Sequence, residues 1–144
     1  MAKLLIIYGS TTGNTEMVAE QVADQLDAHN PVLQDIADTQ PEDLSNYDAI
    51  IMGSSTWDDG LLQTDFRDFA ENLNVDLSGK KIAVFGLGDS SYPDFCEAAS
   101  LLEELVAKNK GELLVEPLKI DGFPDEEENE SKIRAWCDSL ASKL

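Results

Sequence analysis

The run Leu4-Leu5-Ile6-Ile7, followed at once by Tyr8-Gly9-Ser10-Thr11-Thr12-Gly13-Asn14-Thr15-Glu16, constrains this chain more than any other stretch. Four apolar residues without alternation read as a strand buried on both faces, the habit of parallel sheets. Val18, Val22 and Leu26 then recur at helical spacing. A buried strand therefore ends in a polar loop at the start of an amphipathic helix. The first turn of a helix leaves backbone N–H groups unpaired and carries the positive end of the macrodipole, so such a junction suits an anion. Ser10, Thr11, Thr12, Asn14 and Thr15 add hydrogen-bond donors, and no Lys or Arg accompanies them. A phosphate bound here would be held by neutral groups. Capping a helix needs one such side chain, and this loop carries five. The lysine of a nucleoside-triphosphate P-loop and the three spaced glycines of a dinucleotide fingerprint are both missing.

The strand-loop-helix unit recurs along the chain. Pro31 to Ile36 reads as a shorter strand near a sheet edge, where a leading proline is tolerated. A polar connection from Ala37 to Asn46, with room for a helical turn, leads to a third strand, Ala49 to Gly53. That strand runs into Ser54-Ser55-Thr56-Trp57-Asp58-Asp59-Gly60, and a helix with Leu62, Phe66, Phe69, Ala70 and Leu73 on one face follows. Lys81 to Gly86 forms a fourth strand ending in the loop Leu87 to Cys96. The next helix carries Ala98, Leu101, Leu102, Leu105 and Val106 along one stripe, with Lys108 and Lys110 in its last turn and Gly111 as its stop. A fifth strand runs from Leu113 to about Leu118, and a final helix starts in the acidic run Asp125 to Glu130 and buries Ile133, Trp136, Cys137, Leu140 and Leu144. This alternation predicts an α/β fold: a doubly wound five-stranded parallel sheet with helices on both faces, in a single domain over residues 1–144. Right-handed crossovers put all strand carboxyl ends on one side, so the loops after strands one, three and four should meet at one rim.

Charge and composition narrow the function. With 29 acidic and 10 basic residues the formal charge is −19, which argues against nucleic acid and anionic membranes. It favours basic partner proteins, or serves solubility and salt tolerance. No apolar run approaches the ~20 residues of a membrane helix, and Met1-Ala2-Lys3 enters a strand without a cleavage pattern, so a soluble cytoplasmic protein is expected. Cys96 and Cys137 lie in separate segments without CxxC spacing, which points to neither a metal site nor a disulfide framework. His29, the sole histidine, falls near the end of the first helix and reads as a solvated helix-end residue. Its position leaves no Ser-His-Asp or Cys-His arrangement near the loops, and no catalytic residue is expected.

Two aromatic rings, Trp57 and Tyr92, stand on the second and third loops rather than on helical core faces. Beside a phosphate pocket they suit a flat heteroaromatic ring with a phosphate tail. Gly60 and Gly88 let backbone approach such a ligand. Three patches, Gly9-Ser10-Thr11-Thr12-Gly13-Asn14-Thr15, Ser55-Thr56-Trp57 and Phe85-Gly86-Leu87-Gly88-Asp89-Ser90-Ser91-Tyr92, make the sequence resemble the flavodoxin family in order and spacing over the whole chain. The uninterrupted fifth strand is similar to the short-chain type.

That resemblance, rather than any periodicity, implies the strand order 2-1-3-4-5 with FMN at the reversal between strands one and three. It implies that Ser10, Thr11, Thr12, Gly13, Asn14 and Thr15 wrap the phosphate, while Trp57 and Tyr92 flank the isoalloxazine, Tyr92 on its outer face. Main-chain groups of Leu87, Gly88 and Asp89 would meet the pyrimidine edge, with Ser55, Thr56 and Cys96 nearby. It also implies a low-potential carrier of single electrons, a monomer passing them between basic-surfaced reductases and acceptors, with no substrate turnover of its own. The peptide after the tryptophan position turns over on reduction in the family. Here that position is Asp58, followed by Asp59 and Gly60, where many relatives have glycine directly after the tryptophan. Asp reaches positive φ less readily, so a weaker preference for the turned state is expected. Asp58, Asp59, Asp89 and Asp94 would make a further, anionic reduction harder; a carboxylate about 10 Å away costs roughly 0.4–1.7 kcal/mol, an effect that salt screens.

Two other families share parts of this pattern. The FMN domain of a two-flavin reductase has a similar third loop but continues into an FAD/NADPH module, whereas this chain starts at Met1 and ends after a helix, which favours the free carrier. A phosphoacceptor receiver domain needs acidic residues after strand one and an Asp after strand three. Tyr8-Gly9-Ser10 and Gly53-Ser54-Ser55 stand there instead.

Overall fold

The apolar runs Leu4–Ile7, Ala49–Met52 and Ile82–Phe85 lie side by side in one sheet. In the computed structural model, which describes residues 3–9, 13–57, 61–62, 64–88, 97–121 and 126–144, the elements in chain order are β1 (Leu4–Gly9), α1 (Asn14–Gln25), β2 (Val32–Asp35), β3 (Ala49–Trp57), β4 (Leu61–Leu62), α2 (Thr64–Asn72), β5 (Lys81–Gly88), α3 (Glu97–Lys108), β6 (Leu118–Asp121) and α4 (Glu127–Ala141). Strands β2-β1-β3-β5-β6 pair in that order, all parallel. This is the expected 2-1-3-4-5 arrangement, with the two-residue β4 added as an antiparallel partner of β3. Leu62, expected on the following helix, belongs to that small strand. The connection at 36–46 forms two 3-10 helices, Ile36–Asp38 and Pro41–Asn46. His29 ends another, Asp27–His29, and is half-buried rather than solvated.

Period-two side-chain direction splits the core into two layers. Leu4, Ile6, Tyr8, Ile51, Phe85, Leu87 and Ile120 face α1 and α4, where Val18, Val22, Ile133, Trp136 and Leu140 complete the layer. Leu5, Ile7, Ile50, Met52, Ile82 and Val84 face α2 and α3, against Phe66, Phe69, Ala98, Leu102 and Val106. A strand buried on both sides has no polar face to show, which is why these runs do not alternate.

Glycine decides the packing at the upper end of the sheet. Tyr8, Gly53 and Phe85 are in register across β1, β3 and β5. A Cβ on Gly53 would fall inside the Phe85 ring. That ring lies over β3 and meets Trp136 edge-on, centroids 6.4 Å apart at 76°. Gly86, on the other face, lets α3 approach so closely that a Cβ would stand 2.7 Å from the Ala99 nitrogen.

Helix α3 ends differently from its sequence signature. Gly111 does not take the left-handed conformation; Lys110 does, at φ 69°. Gly111 is needed for space instead, because a Cβ there would lie 2.8 Å from Val106 and 2.9 Å from Ile82. Asn109, buried, ties this end down: its Oδ1 accepts from the Val75 N–H at 3.2 Å and its Nδ2 donates to the Leu105 carbonyl at 2.9 Å.

The fifth parallel strand is interrupted, contrary to expectation. Ile82 bridges Leu113, and Phe85 pairs with Leu118. Three steps on β5 therefore face five on the partner, and two extra residues bulge out. The Glu116 carbonyl within the bulge accepts from Trp136 Nε1–H at 2.9 Å. Regular pairing resumes at Leu118 and extends to Asp121, beyond the end read from the apolar run.

Candidate functional site

The carboxyl ends of β1, β3 and β5 lie side by side, as the ladders Gly9↔Ser54 and Ser54↔Gly86 require. Loops leave the sheet here in three adjacent places, at the reversal where β1 connects toward β2 and β3 toward β5. Ser10, Thr11, Thr12, Asp58, Asp59, Gly60, Asp89, Tyr92 and Cys96 lie outside the described residues. Gly13, Asn14, Thr15, Ser55, Thr56, Trp57, Leu87 and Gly88 are described and all belong to this end of the sheet.

At the first loop the helix cap is Gly13, at φ 94° in the left-handed region. A Cβ there meets nothing within 4 Å, so glycine is required by backbone conformation and not by space. Because the capping residue has no side chain, no side-chain hydrogen bond caps α1. Asn14 and Thr15 open the helix directly after that glycine. Thr15 is 1% exposed, and its Oγ1 is buried without a hydrogen-bond partner. Buried hydroxyls are nearly always paired, because an unpaired one costs about 1–3 kcal/mol. A hydroxyl so placed in the first turn of a helix awaits an acceptor, and the adjoining N–H groups and dipole suit that acceptor being an anion.

Tyr8 closes the floor at the same end. It is buried, and its phenol is held above its ordinary pKa first by that burial and then by Glu16, Asp35, Glu20 and Asp38. The acidic character of the chain thus reaches the flank of the first loop.

The second loop begins at Ser55 and continues as a small hairpin. Thr56 pairs with Leu62 and Trp57 with Leu61. Ser54, immediately before, was not singled out in the sequence; it is fully buried, and its hydroxyl donates to the Ser55 carbonyl at 2.9 Å. The available signal was its position between two glycines of neighbouring strands, which only the register reveals. At the third loop, Leu87 turns its side chain into the α1/α4 layer. What it offers the rim is backbone, as does Gly88, which pairs with Asp121 of β6.

Among the described residues no group of His, Cys, Asp or Glu could hold a metal ion, and no helix is long and apolar enough to cross a membrane. Cys137 is a free thiol buried in the core, pushed up to about 12 by burial and then by Asp138.

Comparison with known proteins agrees with this geometry. The family model described as flavodoxin matches residues 6–136. A flavodoxin of Maridesulfovibrio salexigens is 42% identical over an alignment covering all of both chains. The crystal structure of oxidised flavodoxin 2 from Bacillus cereus superposes with a TM-score of 0.94 at 43% identity, over 99% of this chain and 100% of that one. A flavodoxin of Fusobacterium nucleatum solved with bound flavin mononucleotide has the same fold at 15% identity, with a TM-score of 0.83 over 100% of this chain and 99% of that one.

Proposed function

The chain belongs to the flavodoxin family, and we propose from that membership that it carries single electrons on non-covalently bound FMN between redox proteins. The observation that carries the reading is the buried, unpartnered Thr15 hydroxyl in the first turn of α1. A phosphate monoester fits this end of the helix, because neutral donors and a helix dipole supply what it needs without a cation.

Thr15, Asn14 and Gly13, with Ser10, Thr11 and Thr12, would hold the phosphate. Trp57 and Tyr92 would flank the ring, and Ser55, Thr56, Asp58, Asp59, Gly60 and Cys96 would line its neighbourhood. The backbone of Leu87, Gly88 and Asp89 would serve its polar edge. When bound, FMN supplies one-electron chemistry, and the protein's part is to bind it and set its potentials. No side chain has to act as acid, base or nucleophile.

The formal charge of −19 supports basic-surfaced partners, whose encounter should slow as salt screens the attraction. The chain acts as a single domain and a monomer, in the cytoplasm. The test is the visible spectrum of the purified protein during stepwise anaerobic reduction. Equimolar FMN that accepts electrons reversibly is expected. A colourless protein that takes up no added FMN would overturn the reading.

A further inference from the structure

We propose that Ser54 is a positioning residue for the flavin, acting through the base of the β3/β4 hairpin; this rests on the FMN reading above. Ser54 is in register with Gly9 on one side and Gly86 on the other. It shares their face of the sheet, that of Met52 and Val84, which α3 covers. Gly86 has no side chain to interpose, and α3 comes close enough there to touch where its Cβ would be. The Ser54 hydroxyl is therefore fully buried between two glycines, on the face of the sheet that α3 covers.

There it donates to the carbonyl of Ser55 at 2.9 Å. The place of this bond along β3 gives it its role. Among the described residues the last pair with β1 is Gly9↔Ser54, and the last with β5 is Ser55↔Leu87, although β5 runs on to Gly88. The next residue, Thr56, already pairs with Leu62 in the hairpin. The peptide joining Ser55 to Thr56 is thus the hinge between the parallel sheet and the hairpin that carries Trp57. Its carbonyl is held by Ser54 on one side of the peptide while its N–H belongs to the hairpin residue on the other. Fixing that plane fixes the direction in which the hairpin strand carrying Trp57 leaves the sheet. A buried side chain outside the proposed flavin-contacting set thereby positions the strand that carries Trp57.

Ser54→Ala removes the donor with little change of shape, and Ser54→Thr keeps the hydroxyl. Three measurements on each are decisive: backbone amide exchange at residues 56, 57, 61 and 62 in apo-protein, FMN titration of apo-protein, and the potentials of the loaded protein. Ser54→Ala should speed exchange at the hairpin amides and weaken FMN binding about two- to tenfold, the worth of one ordinary hydrogen bond. Its potentials should move, because the two redox forms would lose unequal amounts. Ser54→Thr should restore all three if it folds. Hairpin exchange, FMN affinity and potentials all unchanged in Ser54→Ala would overturn the proposal. So would loss of stability across the whole sheet without a selective effect on the hairpin. Failure of the wild-type chain to bind FMN would instead refute the carrier reading, and hairpin exchange would still judge the role of Ser54.

Discussion

Replacing Thr15 by Val should move the empty and loaded proteins in opposite directions. The two side chains are nearly the same shape, so the change swaps one hydroxyl for a methyl in a site that is 1% exposed. Without ligand, the Thr15 hydroxyl is buried and unpartnered, a state that costs about 1–3 kcal/mol. Relieving it should stabilise apo-protein by up to that amount and raise its thermal midpoint by several degrees. With FMN bound, the hydroxyl faces a phosphate, and a hydrogen bond to a charged group is worth about 1.5–3 kcal/mol. Losing it should weaken binding at least about 10- to 150-fold, with the apo gain adding to the difference. Calorimetric titration of apo-protein with FMN and thermal melts of apo-protein measure the two halves. A Thr15→Val apo-protein that melts lower than wild type, or binds FMN within twofold of it, would refute the view of Thr15 as a hydroxyl waiting for phosphate.

Three further outcomes are expected. Gly53→Ala should destabilise the fold by about 1–3 kcal/mol or more, read from urea midpoints, because its methyl would occupy the Phe85 ring position. Asn109→Ala should cost about 1–3 kcal/mol in the same assay, since it strands the Val75 N–H, while the Leu105 carbonyl keeps the backbone N–H of residue 109 at 3.2 Å. The third concerns alkaline pH. Cys137 rises in the fold from 9.0 to about 12, and Tyr8 rises as well, so the folded state keeps protons that the unfolded chain gives up. Their contribution is full below the unfolded values and is lost as pH climbs through the folded ones. Stability should thus fall from about pH 9 toward 12, and the fall should be shallower in Cys137→Ala.

What could be read from the sequence was what local chemistry dictates. Unalternating runs such as Leu4–Ile7 favour two-faced strands, and the spacing of Ala98, Leu102 and Leu105 favours a covering helix; these pointed to the sheet, its layers and the rim where the strand ends meet. The misreadings share a non-local cause. Gly111 looks like a left-handed stop, yet its glycine answers to Val106 and Ile82 arriving from elsewhere. Leu62 has helical spacing with Phe66, but a strand partner in β3 claims it. Leu113 to Val115 look like a continuous strand, and only Trp136, from the last helix, shows where the break is held. At the site, the hydroxyl and amide residues of the first loop stand out in the sequence because they are contiguous. Ser54 does not, because its meaning lies in glycines on two other strands.

The bulge before β6 also marks where this fold can grow. Beyond Leu114, whose N–H donates to the Ile82 carbonyl at 2.8 Å, the ladder is broken until Leu118, so chain added between Val115 and Leu118 would sever no hydrogen-bonded pair of the sheet. Closing a longer loop costs only about 0.6 kcal/mol for each doubling of its length. The anchors on either side, Leu113 against β5 and Leu118 at the head of β6, would stay where they are. The edge strand thus carries a ready-made splice point, one that could accept a whole new segment on the flank of the sheet without asking the core to repack.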